Sequence, residues 1–151
     1  MTSALATKEF IDKAEALQDA MLNSNLPGIA KGNSDMFPLK HSFPQGLYIR
    51  EIFIKEGGFA IGKVHKEDHV WFLLKGLLLV TTADGDEYYE APCYVNAKAG
   101  CKRVVLALMD STFVNVYPNP TNTQDIEELE NTVMCTYYTT YEEYKFIKNE
   151  E

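Results

Sequence analysis

The chain has 151 residues, of which 46% are hydrophobic and 24% charged, and it carries a formal net charge of −8. That composition is globular rather than disordered, and the length suits one domain with a real core. The acidic balance excludes a general binder of the phosphate backbone, which needs a basic face, so no nucleic-acid partner is expected.

Residues 4 to 22 predict an amphipathic helix. Leu5, Phe10, Ile11, Ala14, Leu17 and Met21 recur near helical spacing, and Asn23-Ser24-Asn25 with Pro27-Gly28 ends the run. Lys8, Glu9, Asp12, Lys13 and Glu15 interrupt this segment, so it is no signal peptide, and no stretch is long and apolar enough to span a bilayer. A loop rich in Gly, Asn, Ser and Pro is expected up to Gly46. Strands are then predicted at Leu47–Ile54, Phe59–His65, Val70–Lys75, Leu77–Thr82, Glu87–Ala91, Tyr94–Ala97, Arg103–Leu108 and Thr112–Tyr117. Ala83-Asp84-Gly85-Asp86 reads as a hairpin turn. Short strands with a turn every 8 to 12 residues point to a sandwich or barrel.

After Pro118-Asn119-Pro120 the pattern becomes helical, with Thr121-x-x-Gln124 and Thr140-x-x-Glu143 as candidate capping boxes. The acidic residues that cluster late, Asp125, Glu127, Glu128, Glu130, Glu142, Glu143, Glu150 and Glu151, read as a solvated face. Cys93, Cys101 and Cys135 show no C-x-x-C spacing and suit reduced, packed thiols. The fold expectation is an all-β chain: a small jelly-roll barrel over residues 46–117. An N-terminal helical arm, 1–28, and C-terminal helical segments, 121–148, complete a single domain of residues 1–151.

All three histidines, His41, His65 and His69, lie in or just before the barrel segment. On one extended strand Lys63, His65 and His69 share parity and point the same way. Two imidazoles on one barrel wall offer part of the coordination of a divalent transition metal. The same residues with Arg103 and Arg50 equally suit an anion pocket, closing on a carboxylate or phosphate by charge-assisted hydrogen bonds.

Gly58–Gly76 resembles the first cupin motif, G-x(5)-H-x-H-x(3,4)-E-x(6)-G, and Ala91–Asn115 resembles the second. With Gly76 setting the register, His69 stands at the family's Glu position and His65 at its second His, while Lys63 replaces the first His. Lys98-Ala99-Gly100 stands for P-x-G, and Arg103 occupies the place of the last His. The resemblance thus puts two imidazoles and two permanent cations at four metal-ligand positions. Arginine does not ligate metals and stays protonated at any working pH.

A narrower resemblance spans most of the chain. Lys40-His41, Gly46–Glu51, Gly62–Lys66, Ala91-Pro92, Gly100–Arg103 and Asp125–Glu127 are similar to small cupin-domain proteins encoded by tailed bacteriophages. This implies a homodimer or a chain attached to other virion subunits, located in the host cytoplasm or the virion. Three functions follow: a non-catalytic module binding an anionic or sugar-like ligand, a virion decoration or adaptor protein, or a metal-dependent isomerase or dioxygenase.

Overall fold

The computed structural model describes residues 4–29 and 34–150. Helix α1 (Ala4–Leu22) leads into eleven strands and two further helices, α2 (Ile126–Val133) and α3 (Tyr138–Glu150). The strands are β1 (Leu39–Ser42), β2 (Leu47–Ile54), β3 (Phe59–Ile61), β4 (Val64–His65), β5 (His69–Lys75), β6 (Leu77–Thr82), β7 (Gly85–Glu90), β8 (Cys93–Ala97), β9 (Val104–Ala107), β10 (Ser111–Pro118) and β11 (Met134–Cys135). They form a five-stranded sheet ordered β1-β2-β10-β5-β8, a four-stranded sheet ordered β3-β9-β6-β7, and the pair β11-β4, with antiparallel pairing throughout. Three helices sit on this sandwich, so the all-β expectation is amended to an antiparallel β-sandwich with helices. Among the described residues no helix is long and apolar enough to cross a membrane.

Strict alternation builds the core. Tyr48 and Ile54 of β2, Leu73 of β5, Leu78 of β6 and Phe113 of β10 turn inward, and the main cluster unites Ile54, Trp71, Leu73, Leu78, Val80, Val105 and Phe113 across both sheets. The expected hairpin forms with Ala83-Asp84 as its loop, because Thr82 pairs with Gly85 and Gly85 takes a φ of +108°. Gly76, at the β5–β6 corner, has a φ of +99°, and a Cβ there would lie 2.1 Å from Ser111 Oγ and 2.5 Å from the Asp110 carbonyl. Backbone strain and overlap then add. Gly76→Ala is expected to cost about 3 kcal/mol, read as a lower urea midpoint at unchanged m-value.

Several expectations need correction. The predicted Phe59–His65 strand breaks at Gly62-Lys63: Phe59–Ile61 pairs with β9, while Val64-His65 crosses to pair with β11. Part of the predicted loop before Gly46 is strand β1, paired with β2. On α1, Ile11, Ala14 and Gln18 are buried, whereas Leu5 and Leu17 are exposed. Helix α2 is capped by Asp125, whose side chain accepts from Glu128 N–H at 3.2 Å, not by the Thr121 box. Helix α3 starts ahead of Thr140 because its Tyr138 N–H donates to the Glu15 carboxylate of α1 at 2.7 Å. That cap comes from 123 residues away in the chain.

Candidate functional site

The register sorts chemistry along the inner face of the five-stranded sheet. Ile52 pairs with Phe113, and Phe113 with Leu73, giving an apolar row. The next inward row is Arg50, Asn115 and Trp71. Beyond it Tyr48 pairs with Tyr117 on the strand whose neighbour opens at His69. The polar side chains therefore collect at one end of the sandwich. From the opposite sheet Arg103 continues the inward parity of Val105, and its carbonyl accepts from Gly62 N–H at 2.9 Å, holding it in the ladder beside β3.

Arg103 is the centre of the cluster. It is only 9% exposed, its Nη2 donates to His65 Nε2 at 3.2 Å and to Asn115 Oδ1 at 3.3 Å, and its Cζ lies 5.3 Å from the Trp71 ring centroid. Both hydrogen-bond partners are neutral. Among the described residues no carboxylate pairs with Arg103. Burial lowers its pKa, but a guanidinium keeps its charge.

The partners set the histidine tautomers. Arginine only donates, so His65 Nε2 accepts, and its Nδ1–H donates to Tyr117 Oη at 3.1 Å. A carbonyl only accepts, so His69 Nδ1–H donates to the Glu67 carbonyl at 3.3 Å. His69 Nε2 is left as a buried lone pair without a hydrogen-bond partner. The two rings stack with centroids 4.1 Å apart, and Tyr117 stacks on both. Burial first, and Arg103 second, push the His65 pKa well below its ordinary value and that of His69 down to about 4. Both imidazoles are neutral at pH 7.

The sequence-predicted mouth residues divide into two groups. His65, His69 and Arg103 meet as expected, although a bend at Lys66-Glu67 separates the two histidine-bearing strands. Lys63 and Arg50 instead meet on Glu130 of α2: Arg50 Nη1 donates to Oε1 at 3.0 Å and Lys63 Nζ to Oε2 at 3.1 Å. Glu130 had been grouped with the solvated acidic face. It is half-buried, and these two cations help hold its carboxyl below the usual range against the opposing effect of burial. Arg50 Nε remains a buried donor without an acceptor. Asn115, Tyr117 and Trp71 also belong to the site. Asn115 alone left a trace in the sequence, as an amide in the middle of the apolar run Phe113-Val114-Asn115-Val116-Tyr117.

A cavity of about 740 Å³ lies inside the sandwich, lined by Arg50, Lys63, His65, Arg103, Asn115 and Tyr117 at the polar end and by apolar side chains elsewhere. Beside it Lys102, 2% exposed, secures the covering helix: Nζ donates to Gln18 Oε1 at 2.8 Å, the Gly62 carbonyl at 3.0 Å and the Thr136 carbonyl at 3.4 Å. All three ammonium hydrogens find acceptors. Lys102→Met removes the donor from Gln18 Oε1 and the Gly62 carbonyl, while the Thr136 carbonyl keeps the Gln18 amide, and is expected to cost about 2–4 kcal/mol in chemical denaturation. Burial pushes the Cys101 and Cys135 thiols up, which suits packing rather than reaction.

No protein-family model and no curated protein sequence matches the chain. Solved structures do. The plu4264 protein from Photorhabdus luminescens matches at 10% identity over 71% of this chain and 96% of its own, with a TM-score of 0.52. KdgF from Halomonas sp. matches at 12% identity over 58% of this chain and 84% of its own, with a TM-score of 0.50. A cupin superfamily protein from Desulfitobacterium hafniense matches at 10% identity over 64% of this chain and 91% of its own, with a TM-score of 0.49. At these identities the likeness concerns the fold. The chain is an antiparallel β-sandwich with three helices, and its likeness to the plu4264 protein and KdgF concerns that architecture.

The cupin motif asks whether His65 and His69 hold a metal here. The donor set does not fit. His65 has both ring nitrogens engaged, by Arg103 and Tyr117, and the guanidinium occupies the side of Nε2 from which a metal would bind. Among the described residues no three His, Cys, Asp or Glu side chains converge on one point, and two imidazoles fall short of the usual three protein ligands. A dication beside Arg103 would also meet like-charge repulsion in a poorly solvated site.

Proposed function

We propose that this protein is a non-catalytic binding module of cupin type that holds a small organic anion in its cavity, with Arg103 as the principal anion-binding group. The observation that carries this reading is a buried guanidinium at the polar end of a cavity, paired with no carboxylate among the described residues. A buried charge without a counterion is costly, and an acid group on a ligand offsets that cost. At the same end Arg50 Nε–H is a buried donor without an acceptor. Three permanent cations against the single carboxylate of Glu130 leave this end of the cavity positive within an acidic protein. Sites with unmatched charge in a concave, mostly apolar setting are the usual places for small ligands.

The segments that resemble phage-encoded cupin-domain proteins, Gly62–Lys66 and Gly100–Arg103, supply Lys63, His65 and Arg103. This supports a phage-encoded accessory role in the infected cell. Recovery of the chain in purified particles would instead favour a virion decoration role, with other virion subunits as partners.

Thermal-shift measurements on the dialysed full chain at pH 7 test the binding reading. Millimolar acetate, phosphate, sulfate, octanoate and gluconate are compared with matched sodium chloride. At least one organic anion is expected to raise the midpoint in a saturable way. Equal midpoints across the whole panel would contradict the proposal. Elemental analysis serves the metalloenzyme alternative: near-stoichiometric transition metal, lost in a His65→Ala/His69→Ala variant, would replace this reading.

A further inference from the structure

The anion-binding reading leaves the body of the ligand open, and the cavity wall bears on it. From the geometry we infer that the ligand is a monocarboxylate with an apolar aliphatic or aromatic body, and not a sugar acid or other polyhydroxy anion. This rests on the proposed role of Arg103 and adds what lies beyond it.

Among the described residues, the polar side chains around the cavity gather at the end where Arg50, Asn115, Tyr117, His65 and Arg103 meet. Gln18 and Thr136 also line it; Gln18 Oε1 is taken by Lys102 and its amide donor by the Thr136 carbonyl, which leaves the Thr136 hydroxyl as a further polar group. One inward step along β2 and β10 from Arg50 and Asn115 the wall becomes Ile52 and Phe113, and the facing strand β9 presents Val105. Phe37, Leu39 and Phe59 continue it toward the opening. A polyhydroxy body carried into that region would surrender its water and meet mostly apolar side chains. Each hydroxyl left unpaired costs roughly tenfold in affinity. An alkyl or aryl body loses nothing there and gains from burial.

The size and pliancy of the chamber agree. About 740 Å³ lies within the range of small-molecule sites. Met21, Met36 and Met134, from α1, the following loop and β11, border it, and unbranched thioether side chains adapt to apolar shapes. The charges sort likewise. Glu130 already takes up Arg50 Nη1 and Lys63, so the deep unpaired cation is Arg103. One buried cation matches one carboxylate better than a dianion.

Calorimetric titration of the full chain at pH 7 with octanoate, phenylacetate, gluconate and octan-1-ol tests this class. Octanoate or phenylacetate is expected to bind at least 100-fold more tightly than gluconate. Arg103→Met should weaken the carboxylates tenfold or more and leave octan-1-ol unchanged. Ile52→Gln, at a partly buried wall position, should weaken octanoate while leaving acetate alone. Gluconate binding as tightly as octanoate would overturn the inferred class and leave the anion reading intact. Absence of binding by all three anions would sink both.

Discussion

Arg103→Met is expected to abolish anion binding while leaving the ligand-free protein as stable as the wild type. The two effects have one origin. Removing the guanidinium loses two hydrogen bonds to neutral groups, at 3.2 Å and 3.3 Å, and a ring contact with Trp71. Hydrogen bonds from a charged donor contribute about 1.5–3 kcal/mol each. Holding an unpaired ion in a poorly solvated interior costs several kcal/mol. The two terms are of similar size, so an apparent stability equal to wild type is predicted in urea, with every anion-induced thermal shift lost. A buried charge kept at no net gain in stability is what a binding site looks like. Lys102 supplies the contrast one residue away. Its hydrogens are all matched, so Lys102→Met is expected to destabilise where Arg103→Met does not. A collapse of the fold in Arg103→Met would mean that the guanidinium is an ordinary structural tie.

The second large effect is on acid stability. His69 has a folded-state pKa near 4, lowered mainly by burial and then by Arg103, against an ordinary value of 6.5. The unfolded chain therefore binds more protons than the folded one between those two values, and stability rises with pH across that window. As pH falls from 6.5 toward 4 the group withdraws about 3 kcal/mol. His65, lowered well below its ordinary value by burial and Arg103, and His41, lowered by its own burial and by Arg50, act in the same direction. The paired carboxylates Glu67 and Glu130, also lowered in the folded state, add their loss only below their ordinary value of 4.5. The drop between pH 6.5 and 4.5 thus reports on the imidazoles. Urea midpoints across this range should fall steeply in the wild type and less steeply in His69→Gln. A slope unchanged in that variant would show that His69 is not the buried neutral group described.

Much of the sandwich was legible because alternation and turn chemistry act locally. Leu47–Ile54 and Leu77–Thr82 announce themselves as strands, and Asp84-Gly85 marks the hairpin between β6 and β7. Strands β1 and β11 were not legible. Met134-Cys135 is two residues long, and its reason to be a strand is the distant edge of Val64-His65. The start of α3 was hidden for the same reason, since its capping carboxylate belongs to α1. In the site, the inward parity of His65 and Arg103 was readable from the motif register. The neutralisation of Arg50 and Lys63 was not, because Glu130 sits 80 and 67 residues away and its sequence neighbours are solvated acids. Pairing across that distance decides which cation of the mouth stays without a counterion.

That unpaired cation is also the most direct point of measurement. In side-chain nitrogen–proton NMR spectra of the labelled full chain at pH 7, the Arg103 Nε–H signal can be assigned by its loss in Arg103→Met. Titration with octanoate is predicted to shift this signal in a saturable manner, alongside that of Arg50, with sodium chloride as the control. An Arg103 signal that stays in place while the protein binds octanoate, or stays in place at every concentration, would contradict an anion seated on Arg103.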